Sequence, residues 1–341
     1  MAPVKNGRVV FGDYVQDVPK PGQTTIYDST QTIDLEAIAL NGGILIKTLV
    51  VAVDPYLLAR FRNSNIPGWS LNKDDLVSYL GVGVVLRSED PAAKPGDHLY
   101  GLMPFQEYTV LPGIGELRVL KNEEKLPWSV YVGIAGMPGQ TAWVGWKEYA
   151  APQKGDVVFV SSGAGPVGNM AIQLAKHAGC KVIASAGSDE KVRELRDTVG
   201  ADVAFNYKTT SVWDVLAKEG PINIYWDNVG AESLDAALQH AATGARFIEC
   251  GMISQLSGAP YTMKNLFMIV RQEIKLFGFI TTTLMPKYLA DFYKEVPGQI
   301  ARGELKYVED RKHGLELAGE AIRDVWLGQN RGKSVVIVGE E

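Results

Sequence analysis

Short apolar segments, separated by Gly, Pro and polar turns, fill the first 130 residues of the chain. Apolar or alternating runs of this length, bounded by turn residues, predict β-strands. We expect such strands at residues 44–53, 82–88, 98–101 and 106–111. Together they predict a compact, mainly β domain.

The pattern changes after residues 137–140, where apolar strands begin to alternate with helical periodicity. Met170, Leu174 and Ala178 recur every four residues and predict a helix that Gly179 ends. An alanine-rich helix is expected at residues 233–242. Strands are expected at residues 157–162, 181–186, 203–206, 223–227, 246–250 and 274–280. This alternation predicts an α/β domain with a doubly wound parallel sheet of about six strands.

A chain of 341 residues is long enough for two domains, at roughly 100–200 residues per domain. The last predicted strand, residues 333–338, follows the final βαβ unit, and we expect it to return to the first domain. The predicted division is therefore residues 1–130 with 303–341, and residues 131–302.

Charge and hydropathy narrow the class of protein. The chain carries 34 Lys and Arg against 39 Asp and Glu, without a run of like charge, which argues against a nucleic-acid partner. Mean hydropathy is −0.02, and no apolar stretch approaches the roughly 20 residues that span a bilayer. No apolar signal core follows residues 1–8. These features predict a cytoplasmic protein with no membrane partner.

A glycine-rich loop is the strongest chemical signal. Gly163, Gly165 and Gly168 stand in the spacing G-x-G-x-x-G between a predicted strand and a predicted helix. In that position the first glycine permits a tight turn, the second lets the backbone approach a pyrophosphate, and the third allows close packing of the helix. The helix N-terminus offers unpaired N–H groups to the anion. The loop therefore predicts a dinucleotide site.

The choice of dinucleotide depends on the end of the second strand, where an acidic side chain about 20 residues on favours NAD. Here the strand ends in Ala186-Gly187-Ser188, and the first acid, Asp189, lies beyond it. Small residues followed closely by Lys191 leave room for a 2′-phosphate and a cation. We therefore predict NADPH/NADP+ as the cofactor.

A β-rich domain followed by a dinucleotide domain resembles the medium-chain dehydrogenase/reductase superfamily, which combines a GroES-like domain with a Rossmann domain. Its alcohol dehydrogenases bind a catalytic zinc through Cys, His and a further Cys or acidic ligand. This chain has only two Cys and four His, with no Cys before Cys180. Residues 53–56, Val-Asp-Pro-Tyr, stand where the first zinc Cys is expected. We therefore predict no metal site.

Over nearly its whole length the chain resembles the zinc-free branch that contains leukotriene B4 12-hydroxydehydrogenase/prostaglandin reductases and plant NADPH-dependent alkenal double-bond reductases. Besides the glycine loop, the matching segments are residues 53–56, 136–142, 186–192, 205–208, 227–230, 250–255 and 328–333.

The resemblance implies a set of NADP(H) contacts. Lys191 and Tyr207 are expected at the adenosine ribose phosphate, beside Ser188. The other implied contacts are the loop residues Gly163, Gly165, Pro166, Val167 and Gly168, then Thr141, Asn228 and Asn330, and around the nicotinamide Cys250, Gly251, Ile253, Ser254, Phe279 and Thr281.

Without a metal, a reduced nicotinamide predicts conjugate reduction, in which a hydride adds to the β-carbon of an α,β-unsaturated aldehyde or ketone. The resulting enolate needs a hydrogen-bond donor and a proton. A neutral Tyr phenol suits both tasks. Tyr56 is the leading candidate, Tyr261 and Tyr79 are further candidates, and water or a ribose hydroxyl is an alternative proton source.

The chain departs from the family at two phenol positions. Leu256 stands where many relatives carry Tyr after the Cys-Gly-x-Ile-Ser turn, and Val82 stands where plant members carry Tyr. These replacements predict an apolar pocket for a hydrophobic enal or enone. Residues 63–78, including Trp69, and residues 281–288 are expected to be loops at the rim of that pocket.

Two other functions remain open: a zinc-free NADPH quinone reductase, and an NADPH-binding protein with little turnover. The strand at residues 274–280 would form the edge of the sheet. Because exposed edges are commonly covered or paired, we expect a homodimer through it.

Overall fold

The computed structural model describes residues 2–63, 70–257 and 260–340, with the backbone alone at 256 and 257. The chain divides into two compact units, Met1–Gly133 with Glu309–Glu341 and Ile134–Val308. Within the described ranges, no helix is long and apolar enough to cross a membrane.

The strands are β1 (Val4–Lys5), β2 (Arg8–Phe11), β3 (Thr25–Asp28), β4 (Thr32–Ile33), β5 (Ile44–Val53), β6 (Ser78–Ser88), β7 (His98–Pro104), β8 (Tyr108–Leu111), β9 (Arg118–Val119), β10 (Val157–Val160), β11 (Lys181–Ala186), β12 (Val203–Asn206), β13 (Ile222–Asp227), β14 (Ala241–Glu249), β15 (Lys275–Gly278), β16 (Glu309–His313) and β17 (Lys333–Ile337).

The α-helices are α1 (Pro55–Ala59), α2 (Met137–Gly145), α3 (Pro166–His177), α4 (Asp189–Glu194), α5 (Val212–Glu219), α6 (Ala231–Gln239), α7 (Ser254–Ser257), α8 (Met268–Arg271), α9 (Thr281–Ala301) and α10 (Ala318–Trp326). Short 3-10 segments cover Trp128–Val132 and Leu315–Leu317, and π-helical turns cover Trp146–Ala150 and Leu195–Val199.

The first unit is built on a mixed sheet in the order β16-β17-β5-β6-β7-β9, with β8 also paired to β5. The long strand β5 is almost entirely apolar and buried, which places it at the centre of this sheet. From the far end of the chain, β17 pairs antiparallel with β5, placing Ser334 opposite Val53. The start of β17 therefore lies beside the end of β5, where α1 begins.

The second unit contains a six-stranded sheet in the order β12-β11-β10-β13-β14-β15, and every pair in it is parallel. This is the doubly wound order of dinucleotide-binding domains. Its central strands are continuous apolar runs because helices cover both faces of such a sheet. Phe159, Ile183 and Phe247 are fully buried in its core. The predicted fold class, a mainly β domain with a parallel α/β domain, is confirmed.

Two local predictions are wrong. The alanine-rich helix, expected at residues 233–242, ends at Gln239, because Ala241 already pairs with Ile222 in the sheet. Residues 281–288, expected as a rim loop, form the first turns of the 21-residue helix α9. Pro286 lies inside this helix, where a proline removes one backbone hydrogen bond. Ile66 and Trp69, in the other predicted rim loop, lie outside the described residues.

Candidate cofactor and active site

The carboxyl ends of β10 and β13 meet where the strand order reverses, which is the position of the ligand crevice in open α/β sheets. Ser161 follows β10 and Asn228 follows β13 at this point. The Asn228 side-chain amide donates to the Ser161 carbonyl at 2.7 Å, and the Asn228 backbone N–H donates to Ser161 Oγ at 2.9 Å. The predicted contact residue Asn228 is therefore held at the switch point.

The glycine loop connects β10 to α3, and its three glycines have different structural reasons. A Cβ on Gly168 would lie 2.6 Å from the Ser162 carbonyl oxygen, and one on Gly163 would lie 3.0 Å from Ile172 Cδ1. A Cβ on Gly165 would meet only the Ser162 oxygen, at 3.6 Å. Protein packing thus requires glycine at 168 and leaves little room for a side chain at 163, whereas the backbone at Gly165 is open to a ligand.

The loop opens directly onto the N-terminus of α3, whose first residues, Pro166 and Val167, are partly exposed. Proline suits this position because its missing N–H would have no helical partner. The tight turn itself falls on Ser162, with φ 51°, rather than on Gly163 as expected. The open Gly165 backbone beside a helix N-terminus fits a pyrophosphate.

At the end of β11, Ser188 caps α4 by accepting a hydrogen bond from the Lys191 N–H at 3.3 Å. Tyr207, exposed at the end of β12, lies against the same strand end, with its hydroxyl 3.3 Å from where a Cβ of Gly187 would be. The structure therefore brings Ser188, Lys191 and Tyr207 to one edge of the sheet.

Sequence reasoning assigned no role to Lys208, which lies at the same edge. Its ammonium is 6.0 Å from the centre of the Tyr207 ring, and its Cε is 3.5 Å from a Cβ position on Gly187. Lys208 is the last residue of the family-matched segment 205–208, Phe-Asn-Tyr-Lys, and its place in that segment was the available signal. The nearby acid, Asp189, accepts a hydrogen bond from the Asn206 amide at 2.8 Å. Lys191 and Lys208 thus belong to this edge, and the carboxylate of Asp189 is already hydrogen-bonded to Asn206. This arrangement fits a 2′-phosphate better than a ribose 2′-hydroxyl.

Asp227, at the end of β13, is fully buried. Its Oδ1 accepts hydrogen bonds from the Ser161 and Tyr225 hydroxyls at 3.0 and 2.7 Å. It also accepts from the backbone N–H groups of Val229 and Gly230 at 2.7 and 2.8 Å. Burial and the neighbouring Asp227 raise the pKa of the Tyr225 phenol well above its usual value, so it stays a donor.

The turn after β14 packs onto this Asp227 turn. The N–H groups of Cys250 and Gly251 donate to the Asp227 carbonyl at 3.1 and 3.0 Å. Those of Ile253 and Ser254 donate to the carbonyls of Asn228 and Val229 at 3.2 and 3.1 Å. Five predicted cofactor residues thereby form one unit of structure: Asn228, Cys250, Gly251, Ile253 and Ser254.

Two side chains of this turn bear on its chemistry. Burial, with Asp227 and Glu249 nearby, raises the pKa of the Cys250 thiol to about 12, which argues against a nucleophilic role. Ser254 Oγ is buried and has no hydrogen-bond partner among the described residues. Because buried polar groups are normally satisfied, that hydroxyl fits an added polar ligand such as a carboxamide.

Three further predicted contacts lie near the start of α9. The Thr141 hydroxyl donates to the Met137 carbonyl at 2.7 Å, and its oxygen is 2.8 Å from Thr281 Oγ1. Phe279 packs edge-on against Trp226, with ring centres 6.2 Å apart. The structure therefore brings Thr141 and Thr281 into contact, with Phe279 in the segment just before α9.

In the first unit, Tyr56 lies in the first turn of α1 and is 56% exposed. Asp54, which precedes this helix, forms a buried ion pair with Lys333, with Nζ 2.7 Å from Oδ2. The same ammonium donates to the Val53 carbonyl at 3.0 Å. Because a buried lysine needs such partners, the pair holds the start of β17 against the turn that carries Tyr56.

The two other tyrosine candidates are placed differently. Tyr79, in β6, is only 6% exposed, and burial with the nearby Asp54 raises its pKa far above the usual value. The Tyr261 hydroxyl donates to Asp235 Oδ2 at 3.0 Å, and burial together with this bond raises its pKa to about 12. Asp235 also accepts from the backbone of Lys264 and Asn265. Tyr261 therefore anchors its own loop to α6, which argues against proton donation.

The remaining predicted positions are less informative. Asn330 donates to the Gly332 carbonyl at 2.8 Å, within its own turn. Val82 is fully buried in the sheet of the first unit, so it contributes to the core of that sheet. The side chain of Leu256 lies outside the described residues. In the part of the chain that the structure describes, no three His, Cys, Asp or Glu side chains are grouped so as to hold a metal.

Known proteins resemble this chain over nearly its whole length. Residues 8–119 match the family described as the N-terminal domain of oxidoreductase, and residues 166–296 match the family described as zinc-binding dehydrogenase. The chain is 38% identical to (+)-pulegone reductase of Mentha piperita, over 99% of this chain and 100% of the relative. It is 37% identical to the NADP(+)-dependent 2-alkenal reductase of Nicotiana tabacum, over 99% of each.

Among solved structures, CurA of Vibrio vulnificus in complex with NADPH superposes with a TM-score of 0.87 at 27% identity, over 98% of this chain and all of the other. Identities of 38% and 37% over the full length of the two plant relatives show common descent. The chain belongs to the zinc-free medium-chain dehydrogenase/reductase family of leukotriene B4 12-hydroxydehydrogenase/prostaglandin reductases and NADPH-dependent alkenal double-bond reductases.

Proposed function

We propose that this protein is an NADPH-dependent ene-reductase that reduces the C=C bond of α,β-unsaturated aldehydes and ketones without a metal. The observation that carries the proposal is the edge of the sheet at Gly187, where Tyr207 and Lys208 lie beside the glycine and Ser188 caps the turn of Lys191. The full-length relatives named as a pulegone reductase and an alkenal reductase support the reaction class.

For the cofactor we propose three contact regions. The open backbone at Gly165 and the N-terminus of α3 would hold the pyrophosphate, and Lys191, Tyr207 and Lys208 the 2′-phosphate. The Asp227 turn and the Cys250–Ser254 turn, with Thr141, Phe279 and Thr281, would surround the nicotinamide, and Asn330 is a further proposed cofactor contact. When bound, NADPH supplies the hydride for the β-carbon.

For the enolate we propose Tyr56 as the hydrogen-bond and proton donor. Its phenol is exposed, whereas Tyr79 is buried and the Tyr261 hydroxyl is bonded to Asp235. The Asp54–Lys333 pair would keep the Tyr56 turn in place. Water or the cofactor ribose hydroxyl remains the alternative donor.

We also propose a homodimer formed through β15, in the cytoplasm. β15 is the edge strand of its sheet and pairs only with β14 among the described strands. Large apolar side chains before, within and after it are exposed: Leu266, Phe267, Val270, Leu276 and Ile280. Edge pairing with a second copy would cover both the strand and these side chains. The cytoplasmic location rests on composition alone.

The experiment that tests the function is an NADPH-oxidation assay with enals, enones and quinones, followed by product analysis. An ene-reductase gives saturated aldehydes and ketones, and its activity is indifferent to EDTA. Preferential turnover of quinones would favour the quinone reductase. NADPH binding without turnover of any acceptor would favour a binding protein, and activity lost to EDTA and restored by zinc would refute the proposal.

A further inference from the structure

Two buried carboxyl groups lie side by side at the ends of β13 and β14. Asp227 and Glu249 are partners in the parallel register, so their side chains project from neighbouring strands at the same level. Asp227 Oδ2 and both carboxyl oxygens of Glu249 are buried and have no hydrogen-bond partner among the described residues. Two unpaired carboxylates in this position would be strongly unfavourable.

Among the described residues, no cation neutralises this pair of carboxyl groups. On the other side of β14, the register partner of Glu249 is Gly278, which has no side chain. The titratable groups that face the pair are Tyr225 and Cys250, and burial raises the pKa of each, so both are neutral. Neither carboxyl forms an ion pair with a described Lys, Arg or His. A proton on Glu249 would supply the donor that Asp227 Oδ2 lacks among the described residues.

We propose that Glu249 is a positioning residue whose neutral carboxyl donates a hydrogen bond to Asp227 Oδ2, so that one proton shared by the pair holds the Asp227 turn in shape. With this bond, both oxygens of Asp227 are satisfied, since Oδ1 already accepts from two hydroxyls and two backbone N–H groups. Burial and the neighbouring Asp227 raise the pKa of Glu249 to about 9, in agreement with the geometry.

The shared proton should also affect NADPH binding, an inference that rests on the proposed function. Asp227 Oδ1 accepts from Ser161 Oγ, which in turn accepts from the Asn228 N–H. The Asp227 carbonyl accepts from the N–H groups of Cys250 and Gly251. Loss of the shared proton would place two charges in a buried site and displace this turn. NADPH binding should therefore weaken as pH rises past about 9.

Stability should fall as pH rises, because the folded protein binds a proton on Glu249 that the unfolded chain releases. The folded protein keeps a proton on Glu249 that the unfolded chain releases near the ordinary pKa of 4.5. The free energy of unfolding therefore falls as pH rises from 4.5 to about 9. Above that pH this group causes no further loss of stability. Glu249→Gln keeps a donor toward Asp227 and has no proton to lose, so this dependence should be reduced in that variant.

The direct test uses infrared difference spectroscopy on the protein without cofactor. At neutral pH, wild type minus Glu249→Gln should show the C=O stretch of a protonated carboxylic acid, and this band should vanish above about pH 10. Glu295→Gln, an exposed change on α9, is the matched control and should leave the band in place. The absence of a difference band at neutral pH would overturn the shared proton, whatever the protein's activity.

The second test measures NADPH affinity by nicotinamide fluorescence from neutral to alkaline pH. Wild type should lose roughly tenfold in affinity, whereas Glu249→Gln should lose less. Glu249→Ala leaves Asp227 Oδ2 without a donor, so at neutral pH it should already bind NADPH roughly tenfold more weakly than wild type, and this difference should shrink as wild type loses the shared proton at alkaline pH. Parallel pH profiles for wild type and Glu249→Gln would overturn the positioning role. Failure of all forms to bind NADPH would instead refute the proposed function, while the infrared result still decides the carboxyl pair.

Discussion

At the scale of single residues, Tyr56 is 56% exposed, whereas the Tyr261 hydroxyl donates to buried Asp235. Tyr56→Phe removes the exposed phenol, and we expect kcat to fall about 10²-fold or more, the usual contribution of a general acid, with NADPH affinity unchanged. Tyr261→Phe is the matched control. It should lower the free energy of unfolding by about 1–3 kcal/mol, because buried Asp235 loses a donor, and leave kcat near wild type. Unchanged turnover in Tyr56→Phe would assign the proton to water or the ribose.

The cations at the end of β11 and β12 set the choice of dinucleotide. Lys191→Ala and Lys208→Ala should each raise KM for NADPH, because a charge-assisted hydrogen bond to the cofactor is lost. The loss corresponds to about 1–3 kcal/mol of binding free energy. KM for NADH should rise much less. Lys218→Ala removes a lysine whose side chain is 82% exposed and serves as the control. Steady-state kinetics with both cofactors measures the effect, and equal losses with NADPH and NADH would contradict the assignment.

At the scale of elements, the β10–α3 loop separates glycines needed for folding from one needed for binding. Gly168→Ala would place a Cβ 2.6 Å from a backbone oxygen, so we expect a lower urea midpoint. Gly165→Ala meets no such contact and has an ordinary φ of −73°, so its stability should change by less than about 1 kcal/mol. NADPH affinity should nevertheless fall, as measured by fluorescence titration, because the new methyl group occupies the approach of the pyrophosphate. Wild-type affinity in Gly165→Ala would exclude that approach.

The elements also show where sequence reasoning succeeds and where it does not. β11 and β12 begin and end at the predicted residues, because continuous apolar runs bounded by turns specify buried strands. Helix α9 was missed because Thr281 and Pro286 are typical of loops, and a helix start depends on the packing of the chain beyond it. The Asp54–Lys333 pair joins residues 279 positions apart in the sequence, and no local pattern reports such a contact.

At the scale of the whole molecule, the apolar side chains around β15 predict association. Phe267→Asp and Ile280→Asp each place a charge on a largely exposed position of this edge, so we expect the protein to shift from dimer to monomer in sedimentation velocity. Leu102→Asp, at an exposed position in β7 of the first unit, should leave the dimer intact. A wild-type monomer at micromolar concentration would contradict the proposed edge pairing.

The amino-acid sequence by itself determined the fold class, the dinucleotide loop and the family, because these depend on local periodicity, on glycine spacing and on many short ordered motifs. Only the tertiary structure decided which side chains meet. It placed Lys208 beside Tyr207, bonded the Tyr261 hydroxyl to Asp235, and set Glu249 against Asp227 in the register of two parallel strands. The physical reason is that protonation, burial and hydrogen-bond partners depend on distances between elements, and those distances arise only when the sheet and its loops have packed.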